Sequence, residues 1–217
     1  MDGIVLELQR EAMDKNADVE SLLRKAYVIA RKLKLSDFEE WIQCEQKGYG
    51  KKDVPEYRVI HGQLKALNPF RGWLPVIMGS AIAETTFTQT KLSNSVSEMY
   101  DLYKDTESEI LVANLPAEMN KYASKCCKFN TQYRLEFGKN QVYYILSRVK
   151  NNILDWTLTL EENGIIGENY SFSEIEKRTA HENAAIVNYI TNFWGNAEDV
   201  QVQQGNTDSQ QDMGKKI

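Results

Sequence analysis

What this chain of 217 residues lacks narrows its chemistry first. It has no cationic excess: 26 Lys and Arg stand against 31 Asp and Glu, a formal net charge of −5. That excludes a protein whose main task is to neutralise a phosphate backbone, and leaves room only for a local basic patch. Cysteine is scarce. Cys44, Cys126 and Cys127 are an odd number, two of them adjacent, so reduced thiols of the cytoplasm are expected rather than a disulfide framework. With only two histidines, His61 and His181, the donors do not converge as a zinc site requires, and no metal is expected. Long apolar runs are missing too. The strongest, Leu74-Pro75-Val76-Ile77-Met78, falls far below the ~20 residues of a membrane span, and Glu7, Arg10 and Glu11 interrupt the start before an apolar targeting core forms. There is no Gly-rich loop ending in Lys-Ser/Thr, no Gly-x-Ser-x-Gly, no His-Glu-x-x-His and no Cys-x-x-Cys, so no cofactor and no catalytic residue is assigned.

What is present builds an α+β body. Hydrophobic residues make up 42%, enough for a sizeable core. Ile4, Val5, Leu8 and Ala12 outline a short helix. Asp18 caps a second, whose Leu22, Leu23, Ala26, Ile29, Ala30 and Leu33 form one apolar stripe. Ser36 and Glu39 have the spacing of a capping box for a third helix closed by Gly48 and Gly50. From about residue 55 the period shortens: Tyr57, Val59, His61 and Gln63 read as a strand, and Asn68-Pro69-Phe70-Arg71-Gly72-Trp73 as the turn of a hairpin into Leu74–Met78. Ser93 or Ser95 caps a helix, Ile110–Val112 is a short strand, Pro116 opens a helix to about Cys126, and Tyr133, Leu135 and Phe137 alternate as a strand. Val142, Ile145, Leu146, Val149, Ile153, Trp156 and Leu160 predict one long amphipathic helix ending at Gly164 and Ile165, and Ser173 caps a last one. The elements sum to a helical N-terminal segment, a small mostly antiparallel sheet and one long helix.

Residues 182–217 differ from the body, 1–181. They hold ten Asn and Gln and no Lys or Arg before Lys215, with two β-like runs, Val187–Phe193 and Val200–Gln204. One reading is a disordered polar tail. The other is a pair of strands too few to stand alone, which join copies of the chain; Tyr189, Ile190, Phe193, Trp194, Val200 and Val202 are then the oligomerisation residues.

Four places could carry function. Glu45-Gln46-Lys47 imitates half of a metal-dependent nuclease motif, but no Pro-Asp precedes it and it falls on a predicted helix. Arg24, Arg31 and Lys32, with Lys25, Lys34, Lys47, Lys51 and Lys52 near them and Trp41 and Tyr49 alongside, could form a phosphate-contacting face; the competing and favoured reading is the solvated side of a helix pair, balanced by Glu39, Glu40 and Glu45. Arg71 sits between Phe70 and Trp73. It could bind a ligand or partner, while the plainer reading has both aromatics anchoring the hairpin to the helices and Arg71 stacking or pairing locally. His61 and His181 read as structural or solvated residues.

Several blocks bear on function jointly. They are Ile4-Val5-Leu6-Glu7-Leu8-Gln9-Arg10-Glu11-Ala12, Leu22-Leu23-Arg24-Lys25-Ala26, Ile29-Ala30-Arg31-Lys32-Leu33, Asp37-Phe38-Glu39-Glu40-Trp41-Ile42, Val54-Pro55-Glu56-Tyr57-Arg58, Asn68-Pro69-Phe70-Arg71-Gly72-Trp73-Leu74-Pro75, and Ile153-Leu154-Asp155-Trp156 leading to Leu160-Glu161-Glu162-Asn163-Gly164-Ile165. In order and spacing over roughly residues 3–180 they resemble the AbiTii family, a domain of bacterial abortive-infection proteins. The resemblance implies phage resistance at the expense of the infected cell and carries over no active-site residue. The expectation is therefore a cytoplasmic, homo-oligomeric antiphage module, non-enzymatic, meeting a phage or host protein and assembling through its tail. A metal-dependent nuclease toxin, and a nucleic-acid-binding regulator using Arg24, Arg31 and Lys32, are the alternatives.

Overall fold

The computed structural model describes residues 3–183 together with Ile186 and Tyr189. Helix α1 (Ile4–Ala12) buries Ile4, Val5, Leu8 and Ala12, and two of its otherwise unpaired first amides are accepted by the carbonyls of Gly167 and Ile166 at 3.2 and 3.1 Å. Helix α2 (Val19–Leu33) starts where Asp18 accepts the Ser21 amide at 3.0 Å and buries its whole apolar stripe. Helix α3 (Ser36–Lys47) follows after only two residues.

The capping box expected at Ser36 does not form. Lys34 turns left-handed (φ 59°, ψ 40°) to end α2, and the Leu35 amide donates back to Ala30 at 3.0 Å. The short connection leaves buried Leu35 as the cap residue of α3, so Ser36 is already helical and Glu39 pairs with Arg31 at 3.1 Å.

The expected strand over 57–63 is divided. Pro55 leads into a 3₁₀ turn, Glu56–Arg58, before β1 (Val59–His61) and β2 (Gln63–Asn68). Gly62 separates them because a Cβ there would lie 2.4 Å from the Glu136 carbonyl oxygen. The hairpin closes as expected with β3 (Gly72–Pro75), Pro75 lacking the amide that would extend the ladder. Two elements without sequence signal follow, α4 (Ala81–Thr88) and β4 (Gln89–Lys91). Then come α5 (Val96–Asp105), β5 (Ile110–Asn114), α6 (Ala117–Cys127), with Pro116 one position before it, and β6 (Tyr133–Gly138). Helices α7 (Asn140–Glu162) and α8 (Glu174–Glu182) follow. In α5 and α8 the capping boxes are complete: Ser95 with Glu98, and Ser173 with Glu176.

Strands β1 and β4 pair alone, and the main sheet runs β3-β2-β6-β5, antiparallel throughout. This is the α+β architecture expected, with α7 as its axis. Helix α7 buries Val142, Ile145, Leu146, Val149, Ile153, Trp156 and Leu160, stacks Trp156 on Phe38 with ring centroids 3.9 Å apart, and stops at left-handed Gly164 as Ile165 donates to Leu160 at 2.9 Å. One sheet face is covered twice. Leu111, Leu135 and Phe137 join the helical core, while Leu64, Ala66 and Tyr133 form a second, smaller core with Met78, Phe87 and Ala123. Lys65, Trp73, Val112, Arg134 and Glu136, out of phase with these, belong to the opposite face.

Candidate functional site

Glu45 and Arg58 are the fully buried charges among the described residues, and their environment is structural. The Glu45 carboxylate and the Arg58 guanidinium form a two-pronged ion pair, Nη2 to Oε2 and Nε to Oε1 at 3.1 Å. Oε1 also accepts the Tyr49 and Tyr57 hydroxyls at 2.7 and 2.5 Å. Arg58 caps the carbonyls of Leu92 and Asn94 at 3.0 and 2.8 Å and lies 4.7 Å from the centre of the Tyr49 ring. Burial, reinforced by the nearby Glu45 charge, drives both phenols far above their ordinary range, so they stay protonated donors. Burial alone would lower the Arg58 pKa, but Glu45 outweighs it and the net shift is upward. Glu45 is thus fully buried, with three donors on Oε1 and Arg58 on Oε2, and among the described residues it faces no groove of the surface.

The structure places Arg24, Arg31 and Lys32 together on the outer side of α2, each with a local partner: Glu20 at 2.5 Å, Glu39 at 3.1 Å, and the Tyr170 carbonyl. Such surface pairs contribute little to stability, and the two carboxylates offset the charges of Arg24 and Arg31 while Lys32, on a neutral carbonyl, keeps its own. The aromatics expected beside them are inside: Trp41 is fully buried and donates to Tyr57 at 2.9 Å, and Tyr49 belongs to the Glu45 cluster. His61 and His181 are exposed.

Arg71 lies elsewhere, on the β2–β3 turn. Asn68 Oδ1 accepts the amides of Phe70 and Arg71 at 2.9 and 3.0 Å, and left-handed Gly72 (φ 74°) closes the turn. This geometry turns Phe70 outward, 93% exposed, so it does not anchor the hairpin. The arginine that stacks is Arg134 of β6, 4.0 Å over the Trp73 ring, rather than Arg71. Ile77, two residues beyond edge strand β3, and Ile82 of α4 are likewise 89% and 82% exposed.

Two grooves were not visible in the sequence. One, about 630 Å³, runs between α7 and the β1–β4 ladder and is lined by Glu56, Tyr57, Val59, His61, Gln89, Tyr144 and Arg148. The other, about 700 Å³, lies against the α1–α2 loop and carries Tyr100, Tyr103, Tyr143 and Lys150. The spacing of Gln141, Tyr144 and Arg148 on a second side of α7 was the available signal, but it acquires meaning only once β1 is known to lie opposite.

Of the proposed oligomerisation residues, Ile190, Phe193, Trp194, Val200 and Val202 lie outside the described residues. Tyr189 is half-buried: its hydroxyl donates to the Asn152 carbonyl at 3.0 Å and its ring lies 6.3 Å from that of Phe38. Ile186 is part of the main core. Among the described residues no helix is long and apolar enough to cross a membrane.

Residues 3–185 match the AbiTii family. No curated protein and no solved structure matches the chain. A match running from α1 to the end of the helical body makes this chain a member of the AbiTii family, a membership that points to abortive-infection phage defence.

Proposed function

We propose that the protein acts in the cytoplasm as a non-enzymatic sensing and interaction module of abortive infection. Its body meets a phage or host protein, and the segment after Tyr189 joins copies into a homo-oligomer. The observation that supports this is the open edge of the main sheet. Strand β3 is hydrogen-bonded on one side only among the described residues, and exposed Phe70 and Ile77 flank it in sequence, with exposed Ile82 following on α4. An uncovered edge with large apolar neighbours is a template for another strand. The tail has the matching composition: β-forming runs at 187–193 and 200–204, and, after Tyr189, four acidic residues, Glu198, Asp199, Asp208 and Asp212, before its first lysine. Arg71, next to Phe70, makes no ion pair among the described residues, and in this proposal it pairs with those acids. The nuclease reading loses support because its carboxylate, Glu45, is fully buried in an ion pair with Arg58; the nucleic-acid reading loses support because Arg24 and Arg31 are ion-paired and Trp41 and Tyr49 are buried.

Light scattering of three purified chains tests this: the full chain, a chain ending at Tyr189, and Phe70→Asp/Ile77→Asp. The full chain is expected to exceed monomer mass, and both variants to fall to monomer with unchanged circular dichroism and to lose protection in a phage-plating assay. An unchanged mass after truncation would remove the assembly role of the tail.

A further inference from the structure

The groove between α7 and β1 has the chemistry of an anion site. Gln141, Tyr144 and Arg148 share one side of α7 by their i, i+3, i+7 spacing. Gln141 fastens this side to β1, its Oε1 accepting the His61 amide at 2.8 Å and its Nε2 donating to the His61 carbonyl at 2.7 Å. The walls are thereby held at fixed separation. Tyr57, which also lines the groove, turns its hydroxyl inward to Glu45. Arg148 is the one cation among the residues lining the groove, and its Nε is buried with no hydrogen-bond partner. A buried donor left unmade costs about 1–3 kcal/mol, and among the described residues no carboxylate pairs with this guanidinium. Its planar fork suits two oxygens of one phosphate.

We propose that this groove binds a mononucleotide, its phosphate on Arg148 and its base against the Tyr144 ring. Tyr144, 55% exposed at the groove wall, offers the flat apolar surface on which any base stacks. Gln89 and Glu56 supply donor and acceptor groups for a base edge. The volume of about 630 Å³ is that of a small-ligand site.

Titration calorimetry of the full chain with adenosine 5′-monophosphate, adenosine and inorganic phosphate decides it. The nucleotide is expected to bind at least about tenfold more tightly than adenosine, and Arg148→Gln to lose about tenfold or more, the range of a charge-assisted hydrogen bond. Tyr144→Ala is expected to weaken the nucleotide about fivefold or more while leaving phosphate unaffected; as an exposed side chain it also serves if Arg148→Gln proves unfolded by circular dichroism. Equal binding of nucleotide and adenosine, phosphate binding as tightly as the nucleotide, unchanged affinity in Tyr144→Ala or in folded Arg148→Gln, or no heat with millimolar nucleotide each overturns the proposal.

Discussion

At the scale of single residues, Arg58 does the work of a joint. It binds Glu45 of α3, the carbonyls of Leu92 and Asn94 on the approach to α5, and the face of Tyr49, so three stretches far apart in sequence meet on one guanidinium. A buried pair of this kind is not a large net gain over apolar residues of the same volume, because both ions lose their water. Breaking it is another matter. Glu45→Gln keeps the shape but leaves Arg58 buried without a counter-charge, and with the amide oxygen kept for the two tyrosine hydroxyls it sets an NH2 donor against Arg58 Nη2. The expected loss is about 3–5 kcal/mol, read as a lower urea midpoint at unchanged slope. A loss under about 1 kcal/mol would show that the Leu92 and Asn94 carbonyls suffice to hold Arg58. The same variant separates structure from chemistry, since its cost lies in unfolding free energy.

At the scale of elements, α8 buries Ala180 in the main core, and Glu176 at its start ties it to the segment after α7. Glu176 Oε2 accepts the Ser173 amide and hydroxyl at 2.7 and 2.8 Å, which completes the capping box, while Oε1 reaches the amides of Ile166 and Gly167, both at 2.9 Å. Those two residues also accept the first amides of α1, so the carboxylate links both ends of the described chain. Burial pushes its pKa up, but the Gly167, Ser173 and Ile166 amides outweigh that and hold it below the ordinary glutamate range. A depressed carboxylate stabilises the fold above its unfolded pKa, and the contribution disappears as pH falls through its folded value. Glu176→Gln is therefore expected to cost about 1–2 kcal/mol at pH 7, with the gap from wild type closing in thermal melts as pH is lowered toward 3; a gap independent of pH would contradict the charge's role. The Ser173 cap was legible in the sequence, as were Asp18 and Gly164, because capping chemistry is local. Ser36 had the same pattern and misled, since Leu35 beside it was claimed by the core. Helix α4 was illegible for a different reason: Phe87 is its sole buried side chain, so no stripe exists to read. The α7 groove was hidden because His61 and Arg148 lie far apart along the chain and only the β1–α7 contact makes them neighbours.

At the scale of the whole molecule, the charge is unevenly divided. Residues 1–181 carry 24 basic and 26 acidic side chains, and 182–217 carry two basic and five acidic, so most of the acid excess belongs to the tail. Composition alone suggests cutting there, at about 182, but contacts suggest a later place. Ile186 is 3% exposed within the main core, and Tyr189 lies against Phe38 and Asn152. Both extend the helical body past the point where the composition changes. Removing them opens the surface over Phe38, whose ring stacks on Trp156 of the central helix. A chain ending at Asn183 is thus expected to lose about 2–5 kcal/mol, the cost of deleting a buried aliphatic side chain and exposing its neighbours, whereas a chain ending at Tyr189 keeps the melting temperature of the full chain. Melts of the two truncations side by side check this. The comparison also protects the assembly experiment, because a truncation that damages the core would lose phage protection for a reason unrelated to the tail. Equal melting temperatures for the two would place Ile186 and Tyr189 with the tail instead of the body.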